Sequence, residues 1–349
     1  MELLDRRGPP RRFYMRGFFL VIGINMLRSF LALTAAIAAM FAGTAVAQDY
    51  PTRPVSLVVP FAAGGPTDTL ARNLAQHMSK TLKQQVIVEN RVGAGGTLGV
   101  GIVAKSKPDG YQVLLHHIGM STAPTLYRKL QFNPLTDFEY IGQVADVPMT
   151  LIARTGLPPD NYKDFVAYVK ANKDKLNMGN AGLGAASHLC GLLFMSRIEA
   201  DIQTIPYTGT GPAMSALMGN QIDLMCDQTT NTTGAIQSGK VKVFGVTTKK
   251  RVPSLQFVPT LQEQGLKDFE VAVWHGLYAA KGTPKPVLDK LNAALVAAIK
   301  DPQFKESLTK LGAEAVTPDK ATPESLAKHL KAEIEKWAPI IKKAGVYAD

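Results

Sequence analysis

Between Ser56 and Pro60 the chain reads Ser-Leu-Val-Val-Pro, and from Leu70 the apolar residues Leu70, Leu74, Met78 and Leu82 recur every four positions. The first pattern is that of a short buried strand and the second that of a helix with one apolar face. Gly64 and Gly65 lie between them and permit backbone angles closed to other residues, Pro66 suits a first helical position, and Asp68 falls in the first turn. A helix is thus predicted to open directly off a strand end. Such an end carries unpaired N–H groups and about half a positive charge, so it either caps itself or holds an anion.

The same unit recurs three times. A strand at 86–88 is followed by Gly93, Gly95 and Gly96 and a helix from Thr97; a strand ending at Gly179 by Gly182, Gly184 and a helix through Leu189 and Leu193; and Gly209, Gly211 and Pro212 open a helix stopped by Gly219 and Asn220. Strands alternating with helices predict parallel α/β sheets, whose strand-to-helix turns all lie at the C-terminal edge. Two units precede residue 147 and two lie in 148–246, which predicts two lobes. The tail adds a strand at 270–279, a helix after Pro284 and a last helix over 323–344 closed by Gly345. It is expected to return to the first lobe, so that residues 48–147 plus 247–349 form one lobe and 148–246 the other. Each is then a mostly parallel sheet flanked by helices, with all four glycine loops facing one cleft.

With 349 residues, 46% of them hydrophobic, the chain can build a sizeable core. Residues 1–47 read differently: from Met26 a basic start leads into an alanine-rich apolar stretch ending in Ala45-Val46-Ala47, the plan of a secretory signal peptide with Met15 or Met26 as alternative starts. That segment holds +4 of the net charge of +11, leaving +7. The C-terminal lysines are interleaved with glutamates and lack an aromatic ladder, which argues for a solvated face and against nucleic-acid binding. Cys190 and Cys226 are either a disulfide or two core thiols. No CxxC spacing suggests a metal, and His116 and His117, adjacent in a strand, are expected on opposite faces.

Enzyme signals are weak. The run "GAGGTLGVG" does not give a dinucleotide fingerprint, since position 98 is Leu and a strand-end acid is missing about twenty residues on, where His116 stands. No G-x-S-x-G occurs, and "SLAK" at 325–328 lies on a helix predicted to be solvated.

The motifs "PFAAGGPTDTLAR", "VENRVGAGGTLG", "KPDGYQVLL", "GLGAASHL", "IPYTGTGPAMSALMGNQID", "RVPSLQFVPTLQEQGL" and "WHGLYAAKGTPKPVLDKLN" resemble, in order, the signatures of the Bug family, the TctC-like extracytoplasmic solute-binding proteins of tripartite tricarboxylate transporters. The resemblance spans essentially the whole chain after residue 47. It implies a periplasmic, two-lobed Venus flytrap of the type II-like plan, monomeric and without a cofactor. Such a protein captures a small carboxylate through backbone N–H groups and delivers it to membrane permease subunits, doing no chemistry on it. A sensor subunit docking on a membrane kinase would share the fold. The chain departs from the pattern at Cys190 and at Cys226 with the run that follows it, so the ligand is left open among dicarboxylates, tricarboxylates, aromatic acids and amino acids.

On these grounds the candidate ligand-binding residues in the first lobe are Phe61, Ala62, Gly64, Gly65, Thr67, Asp68, Gly95, Gly96 and Thr97. In the second they are Gly182, Ser187, His188, Tyr207, Thr208, Gly209 and Asp227. The glycines would donate N–H groups, Thr67 and Thr97 would add hydroxyls, and Asp68 reads equally as a helix-start cap. Asp227, at a strand end, would meet an ammonium or hydroxyl of the ligand.

Overall fold

The computed structural model describes residues 50–345 and 347. The predicted signal segment lies outside the described residues except as the sequence reads it. Among the described residues no helix is long and apolar enough to cross a membrane.

The first half of the sheet is built from β1 (Val55–Val59), β2 (Val86–Asn90) and β3 (Gln112–His117), all parallel, with β1 in the middle. Helix α1 (Pro66–Leu82) follows β1, a 3-10 turn at Ala94–Gly96 leads into α2 (Thr97–Ala104), and α3 (Gly119–Leu126) follows β3. The second half repeats the plan after α4 (Tyr162–Asn172). Here β5 (Asn177–Asn180), α5 (Ala186–Ile198), β6 (Gln203–Pro206), α6 (Thr210–Met218), β7 (Leu224–Gln228) and α7 (Thr229–Gln237) alternate, and β7, β5 and β6 run parallel.

The two halves are not separate sheets. One strand, β4 (Phe138–Ala153), runs 16 residues through both. Its first part pairs antiparallel with β9 (Ala272–Ala280), which pairs antiparallel with β3; its last residues pair antiparallel with β7 and with β8 (Lys242–Val246). The sheet is therefore mixed, in the order β2-β1-β3-β9-β4-β7-β5-β6, with β10 (Glu314–Ala315) also against β4. The parallel strands within each half agree with the sequence expectation, and the antiparallel joining strands are the addition.

This register decides where the strand ends point. Two antiparallel steps make β3 run in the same direction as β4, and its last residue His117 lies level with Ala145 through His275. Strand β7 runs against β4, and its last residue Gln228 lies level with Met149. The C-terminal edges of the two halves thus face one another across four residues of β4, about 13 Å.

The tail supplies α8 (Lys285–Lys300), α9 (Pro302–Lys310) and α10 (Pro323–Ala344), the last with the predicted bounds. Helix α8 buries Leu291, Leu295 and Ile299 and packs along α1 and β4. Trp274 is core: its indole N–H donates to Glu333 of α10 at 3.3 Å. Cys190 of α5 and Cys226 of β7 are joined in a disulfide with Cα atoms 5.9 Å apart, which settles that pair as a bridge rather than two thiols.

Candidate functional site

In the gap between the two edges lies a small, partly open chamber, a cavity of about 10 Å³. Its wall is made of helix beginnings: Pro66 and Thr67 of α1, Ala185 to Ser187 at α5, Thr210 of α6, and Asp227 and Gln228 leading into α7, with Phe61, His117 and Ala181 between them. None of these four helices has a side-chain cap: the residues before them are Gly65, Ala185, Gly209 and Gln228, and no side chain among them accepts a first-turn N–H. Four sets of first-turn N–H groups therefore converge on one small space, each carrying a positive partial charge. No lysine or arginine lines it.

The histidines do not supply a cation either. His117 lines the chamber stacked on Phe61 at 4.7 Å, and burial holds its pKa well below the usual value. Burial likewise lowers His116 and His275 to about 3 and His188 to about 4, so all four are neutral at physiological pH. His275 meets the Thr67 hydroxyl at 3.3 Å, which orients that side chain beneath the chamber. The rings of His116 and His117 were expected on opposite faces, yet their centroids lie 4.7 Å apart and both contact Phe61. At the end of β3 the pleat no longer controls direction, because the His117 N–H donates to His116 Nδ1 and the Gly119 N–H to His117 Nδ1. Among the described residues no group of three or more metal-binding side chains occurs.

The predicted site residues divide into four groups. Phe61, Thr67, Ser187 and Asp227 line the chamber. Ala62, Gly65 and Gly209 form a lip above it: the Ala62 N–H donates to Thr208 O at 3.1 Å, and a side chain on Gly211 would meet Gly65 N at 3.0 Å and Ala63 O at 3.1 Å. Gly95, Gly96, Gly182, Tyr207 and Thr208 line an outer groove beyond the lip. There Gly95, at φ +60°, abuts the carbonyl of Leu183 so closely that no Cβ fits, and the Tyr127 hydroxyl lies 2.7 Å from Ala94 O and 2.9 Å from Leu183 O. The glycines at the lip and groove thus let main chains from the two halves touch.

Three residues are bonded to neighbouring protein groups. Asp68 accepts from the Gly64 N–H at 2.9 Å, Arg72 at 2.9 Å and Asn90 at 3.0 Å; burial alone would raise its carboxyl, but these bonds outweigh that and hold it below its ordinary value. Its place is therefore the cap-like one, and Gly64 is already engaged by it. Thr97 donates to Ala94 O, and His188 Nδ1 accepts from the Gly184 N–H, so both shape their own loops.

His117, Thr210 and Gln228 also line the chamber without having been named singly as candidates, although Thr210 and Gln228 fall within the second-half loop stretches 207–211 and 227–229 expected to face the ligand. Thr210 follows Gly209 as the first helical residue and Gln228 ends its strand, so the rule that strand ends line the site singles out both.

Asp227 is the chamber's one acidic side chain. It is fully buried; Oδ2 accepts from Asn231 at 2.6 Å, while Oδ1, Gln228 Oε1 and Thr210 Oγ1 have no hydrogen-bond partner among the described residues.

Comparison with known proteins identifies the family. Residues 70–346 match the family described as tripartite tricarboxylate transporter family receptor, TctC. An Agrobacterium vitis protein encoded in the TAR-I ttuE-ttuC' intergenic region is 51% identical over 302 residues, 86% of this chain and 87% of its own. The structure of the periplasmic binding protein BugD superposes with a TM-score of 0.84 at 55% identity, covering 86% of this chain and all of BugD. MatC from Rhodopseudomonas palustris, solved with bound malate, gives 0.81 at 40% identity over 84% of this chain and all of MatC. The chain belongs to the TctC receptors of tripartite tricarboxylate transporters, the Bug family of solute-binding proteins, which bind and do not transform their ligands.

Proposed function

We propose that this protein captures a small carboxylate in the chamber and hands it to the membrane subunits of a tripartite permease, working in the periplasm after removal of residues 1–47. The two halves of the sheet act as lobes, 48–147 with 247–349 and 148–246, hinged where β4 crosses at Val147 and Pro148. Opening would part the lip at Ala62–Thr208 and the groove at Gly95–Leu183, and closing would exclude water from the ligand.

The observation that carries this reading is the ring of four uncapped helix starts around a space without a cationic side chain. Uncapped N–H groups buried without a partner are costly, so a fold that leaves four sets of them facing one cavity is suited to an anion. Hydrogen bonds to a charged group contribute roughly 1.5–3 kcal/mol each. Four of them sum to roughly 6–12 kcal/mol, a range that brackets the ~8 kcal/mol of micromolar affinity before ordering costs are deducted. The likeness to MatC with bound malate supports the ligand class.

A thermal-shift and calorimetric screen of short mono- and dicarboxylates against their neutral amides tests the anion grip. Carboxylates at about 100 times their dissociation constant should stabilise the protein by about 2.7 kcal/mol, and the amides should not. Equal stabilisation by acids and amides overturns it. Uptake of the ligand by membrane vesicles carrying the permease, with and without the purified protein, tests the delivery step.

A further inference from the structure

The two glycine loops that meet in the outer groove belong to different halves, and the Tyr127 side chain reaches both. Tyr127 closes α3, its N–H donating to Ala123 O at 3.0 Å, and its hydroxyl lies 2.7 Å from Ala94 O in its own half and 2.9 Å from Leu183 O in the other. We propose that Tyr127 is an interlobe latch, a positioning residue whose hydroxyl holds the loop 182–184 against the first half and thereby sets how long a captured ligand stays. This rests on the two-lobed capture reading above and names the side chain that secures its closed form.

The supply of lone pairs decides which carbonyl the hydroxyl serves. A phenolic hydroxyl has one proton, and a carbonyl oxygen has two lone pairs. Ala94 O already accepts from the Thr97 N–H and from the Thr97 hydroxyl, the latter at 2.9 Å, so both of its lone pairs are taken. Leu183 O accepts from no other group among the described residues. The Tyr127 proton is therefore worth more on Leu183, across the groove, than on Ala94. When the halves part, the hydroxyl falls back on Ala94 O beside it, so the latch releases without stranding a donor. Burial raises Tyr127 to about 12, which keeps that proton in place at physiological pH.

Tyr127 does not line the chamber, yet its position ties it to the ligand. Leu183 stands two residues before Ala185, which leads into the uncapped start of α5 on the chamber wall. On the other side, α3 packs on α10 and follows β3, whose last residue His117 lines the chamber. The same helix backs the contact elsewhere: a Cβ on Gly184 would strike Leu126 Cδ2, and the Thr122 hydroxyl lies 3.3 Å from Gly184 O.

Tyr127→Phe removes the hydroxyl and keeps the ring. The probes are propionate, succinate, L-malate and glutarate, followed by stopped-flow binding kinetics. Ligand-free protein is measured in parallel through the separation of spin labels at Lys105→Cys and Lys170→Cys, exposed sites on opposite halves. In Tyr127→Phe the dissociation rate of each carboxylate that binds should rise about fivefold, equivalent to ~1 kcal/mol, while association stays within about twofold and the melting temperature without ligand is unchanged. In a Gly95→Ala background the added methyl crowds both Leu183 O and the Tyr127 hydroxyl, so the bond is already broken and Tyr127→Phe should change the rate by less than about twofold.

A dissociation rate that Tyr127→Phe leaves unchanged, or a rise that persists undiminished in the Gly95→Ala background, overturns the latch and leaves the carboxylate reading standing. If none of the four carboxylates binds, the carboxylate reading falls and the labels decide the latch alone. A smaller share of short separations in Tyr127→Phe than in the wild-type protein then supports it, and equal shares overturn it.

Discussion

Helices in this protein begin in two ways. At α4, α9 and α10 the residue before the first turn, Asn161, Asp301 or Thr322, turns its side chain back to accept an N–H from Asp164, Gln303 or Ser325. At α1, α5, α6 and α7 it is Gly65, Ala185, Gly209 or Gln228, and no side chain does so. The capped starts lie away from the chamber, and four of the uncapped ones form its wall. Helices α2, α3 and α8 are uncapped too and open outside that wall; α8 carries Pro286 in its first turn, which removes one N–H from the account. A cap is worth about 1 kcal/mol, so forgoing it at four converging places costs the ligand-free protein stability that an anion would return. Stability and binding are therefore set against each other at one pole and are independent at the other.

If the uncapped helices lack local anchorage, something else must hold them, and for α5 the bridge from Cys190 to Cys226 does so one turn beyond Ser187 and next to Asp227. Closing a loop across a sequence separation of 36 is worth about 3–4 kcal/mol. The double variant Cys190→Ala, Cys226→Ala should lose that much in urea unfolding, the largest effect among these tests. A loss under 1 kcal/mol would mean that packing alone fixes α5.

The second effect falls on closure. Gly211 has an ordinary backbone conformation, but its Cα faces the main chain of Gly64 and Gly65 across the lip. Gly211→Val should hold the lip apart and weaken carboxylate binding by about 100-fold, or ~2.7 kcal/mol, while the melting temperature without ligand changes little. Unchanged affinity by calorimetry would remove the lip from the mechanism.

How much of this contrast could be read from the sequence depends on how local its causes are. Pro66 at a helix start and Gly345 at a helix end act through their own backbones, so the start of α1 and the approximate span of α10 were legible. The glycine loops were legible as loops, and the ordered motifs as a family. Their division into chamber, lip and groove was not, because what Gly95 needs is set by Leu183 and what Gly211 needs by Gly65, each far away in the chain. Strand β4 was hidden as well: Tyr140, Gly142, Gln143, Asp146 and Pro148 interrupt its apolar residues, and only pairing on both sides makes it one continuous strand.

The third test builds a cap where the chamber has none. Ala185→Asp places a carboxylate at the start of α5, where it can accept first-turn N–H groups and compete with a ligand for them. It should raise or preserve stability without ligand and weaken carboxylate affinity about tenfold, equivalent to ~1.4 kcal/mol. Tighter binding would show that α5 does not face the anion.

The smallest effect comes from removing a cap at the other pole, and it is the control on which the comparison turns. Thr322 accepts the Ser325 N–H at 3.1 Å and opens α10, which packs on α3 and β4. Thr322→Ala leaves that N–H to water and should cost about 1 kcal/mol, a fall of roughly 2–4 °C in melting temperature. Because α10 begins outside the chamber wall, affinity for the ligand should stay within about twofold, far less than the tenfold that 1.4 kcal/mol represents. Thr322→Ala and Ala185→Asp then move stability and affinity in opposite combinations, one lowering stability alone and the other affinity alone. If Thr322→Ala weakened binding as much as Ala185→Asp does, helix starts in general would be coupled to the site through stability, and the uncapped ring would have no special claim to the ligand.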